Sequence, residues 1–225
     1  MNKALQYAKQ IAYSTEETLM FTYEMAKKYY EKPGCYVECG VAAGAQIIAM
    51  ASGAPGKRIF AFDSFEGIPL PSNKDDQYPG IRFLSKEEQK ELPNPGEQKL
   101  ESTGATSVSV DDFWNHLDKS GVITSSISSV KGWFENTIHT WNAQPISILR
   151  LDGDLYNSTK VCLSGLHPYV ISGGIIIIDD WQLPGCQQAV NDFCKQGRIA
   201  SSKHKAMTYE PEIQFVSNIA YWIKP

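Results

Sequence analysis

Two runs of this chain, ISILRLDGD (Ile146 to Asp154) and GGIIIIDDW (Gly173 to Trp181), are apolar almost throughout and end in paired acids. A strand with one wet face alternates polar and apolar residues. These do not, so both faces are covered, as in a parallel sheet with helices above and below. Parallel neighbours end at the same edge, so the two runs would gather Asp152, Asp154, Asp179 and Asp180 in one place. Like charges brought together raise each other's pKa and repel unless something positive sits among them.

The rest of the chain supports a doubly wound α/β sheet. Residues 1–31 read as helical, with Ser14 and Glu17 at capping-box spacing and Pro33-Gly34 as the stop. CYVECG, KRIFAFD and ISSVKG read as strands, while AQIIAMA, SVDDFWNHLDKSG (N-cap Ser109), WFENTIHTW, NSTKVCLSGLHPYV and GCQQAVNDFCKQG (ending at Gly197) read as helices. Strand and helix alternate, which specifies a mostly parallel Rossmann-like sheet. KAMTYEP and SNIAYWIKP are expected to close its edge as an antiparallel hairpin. The expected organisation is one domain over 1–225. Its exception is 67–107, a Pro- and charge-rich stretch with little periodicity, which reads as a mobile lid.

Composition excludes several function classes. A net charge of −4 and a pI near 5.6 oppose nucleic-acid binding. No apolar segment approaches the roughly 20 residues of a membrane span, and no Lys/Arg run suggests a membrane surface. The first residues lack the apolar core of a secretory signal, so a cytoplasmic protein is expected. The five cysteines form no C-x-x-C pair and read as reduced structural thiols. A homo-oligomer is compatible with the sequence.

In open α/β sheets the ligand lies beyond the carboxyl ends of the strands. The first strand ends in ECGVAAG, which places Glu38, Gly40 and Gly44 around a tight turn, and the second ends in Asp63, suited to ribose hydroxyls. The dinucleotide fingerprint G-x-G-x-x-G fails, since residues 42 and 45 are both Ala. A carboxylate at Glu38 suits a cationic ligand such as S-adenosylmethionine better than a pyrophosphate. A purely structural strand–helix turn remains open at this point. For the four acids, a hard divalent cation bound through oxygen resolves the repulsion. Beside S-adenosylmethionine such a cation would acidify an acceptor hydroxyl, and a neighbouring carboxylate would take the proton. An NAD-linked oxidoreductase and a non-catalytic binding module stand as alternatives.

The blocks YVECGVAAGAQ, IFAFDSFEGIP, VKGWFENT, ILRLDGDLYNST and GGIIIIDDW followed by CQQAVNDF together resemble the macrocin O-methyltransferase family, in order, over roughly 34–225. The resemblance implies a class I methyltransferase fold, S-adenosylmethionine, Mg²⁺ and a small hydroxylated acceptor such as a sugar or natural product. It implies Asp152, Asp179 and Asp180 as metal ligands, with Asp152 also the catalytic base. Glu38, Gly40, Gly44, Asp63 and Ser64 would hold the cofactor, with Ser109 and Trp133 near adenine. Asp154 is expected to point away and support the turn. The part before the first strand is short beside that of antibiotic-tailoring members.

Overall fold

The computed structural model describes residues 2–199 and 209–225. Its centre is a seven-stranded sheet. Five strands run parallel: β1 (Cys35–Cys39), β2 (Ile59–Asp63), β3 (Ile127–Lys131), β4 (Ile146–Leu151) and β5 (Val170–Ile178). Two more, β6 (Gln214–Val216) and β7 (Ile219–Ile223), are antiparallel. The order β3-β2-β1-β4-β5-β7-β6 reverses direction between β1 and β4, so a crevice opens at their carboxyl ends.

Helices cover both faces, which is why β1 and β4 can be buried along their whole length. On one side α1 (Lys3–Ile11), α2 (Glu16–Lys28), α3 (Ala45–Gly53) and α5 (Val110–Ser120) pack against Tyr36, Ile148, Ile175 and Ile177. On the other, α6 (Phe134–Thr137), α7 (Tyr156–Leu166) and α8 (Pro184–Ile199) cover Val37, Leu149 and Ile176. The short α4 (Lys86–Lys90) lies in the 67–107 segment.

Four boundaries differ from the sequence expectation. The N-terminal helix is two helices, and Thr15, not Ser14, caps the second by accepting from the Thr18 amide. Ser14 is drawn instead to Gln46, whose Nε2 donates to its hydroxyl at 2.8 Å. Helix α8 passes through Gly197 to Ile199. The hairpin partner of β7 is Gln214–Val216, because a tight turn at Ser217 (φ 54°) sets the register; of the expected KAMTYEP, residues 205–208 lie outside the described residues.

The 67–107 segment builds a small apolar cluster of its own, Ile68 and Tyr78 packed on Leu155. Its buried Asp75 accepts from the Tyr156 amide at 2.7 Å and from both the amide and hydroxyl of Ser72. Helix α7 starts at Leu155, which has no capping side chain, so Asp75 supplies the missing acceptor from a distant part of the chain. None of the five cysteines forms a disulfide, and four are buried. No helix among the described residues is long and apolar enough to cross a membrane.

His167, buried beneath the sheet edge, faces the Tyr209 hydroxyl through Nε2 and leaves Nδ1 without a partner. Burial, aided by Lys224, lowers its pKa to about 4. The unfolded chain therefore binds the proton first, and stability present above pH 6.5 is lost as pH falls toward 4. Urea unfolding at pH 7 and pH 5 should show His167 contributing a loss of about 2 kcal/mol over that interval. His167→Gln should unfold without that share of the pH dependence; an identical slope in both proteins would contradict the assignment.

Candidate active site

The positive group among the acids is Arg150, on β4 itself. Strand register explains its surroundings. Glu38 on β1 lies directly opposite Arg150, and Arg150 lies opposite Ile177 on β5. Side chains two residues apart share a face, so Asp152 and Asp179, two positions beyond Arg150 and Ile177, emerge on the same side. Arg150 Nη1 donates to Glu38 Oε1 and, at 2.8 Å, to Asp152 Oδ2, while Nη2 donates to Asp179 Oδ1. Arg150 and Glu38 are each only 1% exposed, so neither charge has solvent to fall back on.

One guanidinium does not balance five carboxylates. Burial pushes Glu38 up to about 8, with Asp152 and Asp179 adding to the rise against Arg150. Burial and the neighbouring acids raise Asp154 and Asp179 to about 7, and lift Asp180 well above the carboxylate range. Burial alone would pull Arg150 down, yet Asp179, Asp152 and Glu38 hold it above its usual value. The site is short of positive charge.

The acids that converge are not quite those expected. Oxygens of Asp152, Asp154 and Asp180 lie within 4.8 Å of one another, the spacing of a metal ligand set. Asp154 does not point away: its left-handed backbone (φ 58°) breaks the strand alternation, and its amide donates to Asp180 Oδ2 at 2.9 Å. Asp179, also expected as a ligand, stands outside this triad and, like Asp152, has one oxygen on Arg150.

These acids and the glycine turn together line a cavity of about 340 Å³. Gly40 (φ 89°) sits there because a Cβ would lie 1.7 Å from the Asp152 carbonyl oxygen. Asp63 shapes the same turn: Oδ2 accepts from the Val41 and Ala42 amides at 2.8 and 3.0 Å, and Oδ1 from the Phe65 amide at 2.7 Å. Ser64 reaches the cavity wall, but its hydroxyl donates to the Gly67 carbonyl and accepts from the Glu66 amide. Trp133 also lines the cavity.

Two expected cofactor residues do not line it. Gly44 caps α3 and is packed against Phe113 and Leu117, and Ser109 caps α5 through the Asp112 amide. Gln46, Asn218 and Ser14 are among the lining residues that sequence reasoning did not assign to the site. Buried atoms Glu38 Oε2, Gln46 Oε1 and Asn218 Oδ1 have no hydrogen-bond partner, so the cavity wall holds three acceptors in need of a donor. Only Glu38 carried a signal in the sequence.

The sequence model described as Macrocin-O-methyltransferase (TylF) matches residues 24–206. The chain belongs to the macrocin O-methyltransferase family. Among curated members, 8-demethyl-8-(2,3-dimethoxy-alpha-L-rhamnosyl)-tetracenomycin-C 4'-O-methyltransferase of Streptomyces olivaceus is 31% identical over 76% of this chain and 60% of its own length. Demethyldecarbamoylnovobiocin O-methyltransferase of Streptomyces niveus is 30% identical over 75% of this chain and 61% of its own. The chain thus spans about three-fifths of the length of these curated relatives. The solved structure of the O-methyltransferase NovP superposes with a TM-score of 0.70 at 25% identity, over 92% of this chain and 79% of that one. The mostly parallel sheet with its antiparallel edge is the class I methyltransferase fold.

In this member of the macrocin O-methyltransferase family, Gly40 packs directly on the Asp152 carbonyl just beyond the ends of β1 and β4. Gly40→Ala combines a left-handed backbone with a backbone clash and should cost about 3 kcal/mol or more in urea unfolding. Gly121 has a similar φ (76°) but open space around a Cβ, so Gly121→Ala should cost only about 1 kcal/mol. Equal losses would show that the Asp152 contact is not the constraint.

Proposed function

We propose that the protein is a divalent-cation-dependent O-methyltransferase, moving a methyl group from S-adenosylmethionine to a hydroxyl of a sugar or sugar-bearing natural product. The observation that carries this reading is the joining, in one cavity, of a carboxylate-lined glycine turn and a converging acid triad. Membership of the macrocin O-methyltransferase family supports the reaction class, and the activities for which the relatives are named support the acceptor class.

The residues fit the donor. Glu38 Oε2 is buried with no partner, as expected of an acceptor that waits for the ammonium of the methionine moiety. Gly40 lets backbone approach the ligand, and Asp63, whose oxygens keep lone pairs beyond the turn amides, is placed for ribose hydroxyls. Trp133 supplies an apolar wall on the side assigned to adenine. The acids fit a cation equally well: Asp152, Asp154 and Asp180 present oxygens at ligand spacing in a site short of positive charge. Mg²⁺ there would neutralise the acids and favour the ionised acceptor hydroxyl.

Asp152 has the central part. Its carbonyl packs against Gly40 of the turn, its carboxylate belongs to the triad, and one of its oxygens is fixed by Arg150. It receives the acceptor proton as the hydroxyl oxygen bonds to the methyl carbon and the carbon–sulfur bond breaks. The products are a methyl ether and S-adenosylhomocysteine.

Transfer of radiolabelled methyl from S-adenosylmethionine to a panel of rhamnosylated and other deoxysugar acceptors tests the reaction. EDTA should stop it and added Mg²⁺ restore it. Asp152→Asn should lower the rate roughly 10²–10⁴-fold while leaving S-adenosylhomocysteine affinity within about threefold. Asp154→Asn should raise the Mg²⁺ concentration needed more than Asp179→Asn does. Undiminished turnover in metal-free EDTA would refute the cation's part.

A further inference from the structure

Arg150 touches none of the places assigned to donor, cation or acceptor, yet it holds a residue of each side. Its three hydrogen bonds go to three different carboxylates, near three strand ends: Glu38 at the next-to-last position of β1, Asp152 just after β4 and Asp179 just after β5. In each case the guanidinium takes one oxygen. For Glu38 the consequence is explicit, because the oxygen left over, Oε2, is the buried atom without a partner. For Asp152 the engaged oxygen is Oδ2, and the carboxylate still joins the triad with Asp154 and Asp180.

From this geometry we infer that Arg150 is the positioning residue of the site, a rigid fork that sets the donor-binding and the cation-binding carboxylates relative to each other. The inference rests on the methyl-donor and cation reading above. Neutralising charge would need only a cation. A planar guanidinium in addition fixes three bond directions at once, which a lysine ammonium on a flexible stem does not. Arg150 sits in a central strand with both neighbours in register, so the fork itself has little freedom. In methyl transfer the acceptor oxygen, the methyl carbon and the sulfur must lie in line, and small displacements lower the rate steeply. Holding Glu38 and Asp152 on one nitrogen ties the two ends of that line together.

The signature is a double loss from a single residue that contacts neither ligand. Calorimetric titration with S-adenosylhomocysteine and, separately, with MgCl₂ reads it without any turnover. Arg150→Lys keeps the charge and should weaken both affinities at least about tenfold, with Glu38→Gln weakening only S-adenosylhomocysteine and Asp180→Asn only Mg²⁺. Retention of both affinities within about threefold in Arg150→Lys, or loss of just one, overturns the inference. Should Arg150→Lys fail to fold by circular dichroism, the guanidinium ¹⁵N resonances of the unaltered protein decide. They should shift on addition of either ligand, and indifference to one of them overturns the inference. An unaltered protein that binds neither ligand instead removes the parent reading.

Discussion

The site depends on one buried ion cluster, the guanidinium of Arg150 among Glu38, Asp152 and Asp179. Taking these charges out of water is unfavourable by several kcal/mol per ion before pairing, so such a cluster persists only with close geometry. Here the geometry follows from the parallel sheet. Register places Glu38 opposite Arg150, and the two-residue repeat places both aspartates on the same face. Glu38 and Arg150 lie within the strands, and Asp152 and Asp179 follow the last residues of β4 and β5, where their amides still bond to Cys39 and Leu151. Its stabilising value is secondary to its effect on the pocket, where three strand ends are held within one hydrogen-bonding fork.

The surrounding elements serve that arrangement. Gly40 allows the chain to leave β1 against the carbonyl of Asp152, which brings the glycine turn and the acid triad into a single cavity. Asp63 holds the turn from the neighbouring strand through the Val41 and Ala42 amides, while its other oxygen accepts from the Phe65 amide in its own loop. Asp75 reaches in from the 67–107 segment to the first turn of α7, directly after the acids. That segment was expected to pack poorly, because its composition has no periodicity. It gains order from two partners elsewhere in the chain, Leu155 and the first amide of α7 at Tyr156, and neither is visible in its own residues.

Composition and pattern alone were sufficient for the α/β class, the mostly parallel sheet, the terminal antiparallel hairpin and the strand-end acids. Those features are local: apolar runs without alternation, glycines at a turn, capping residues such as Ser109. The same local logic erred where two residues compete for one place, as at Ser14 and Thr15. The cap went to Thr15 because Ser14 had a partner in Gln46, 32 positions away.

What the sequence by itself determined was which carboxylates would meet at one sheet edge and that something positive had to accompany them. What tertiary structure decided was the pairing within that group. Arg150 was in plain view, a charge inside an apolar strand, but its partners depend on register, which a run of aliphatic residues does not encode. The exchange of Asp179 for Asp154 in the triad has the same origin. Asp179 follows the strand alternation toward Arg150, while a single left-handed residue at Asp154 turns its carboxylate back toward Asp180. Spacing along a chain specifies direction only while the backbone stays regular, and the chemistry of this protein begins where β4 stops.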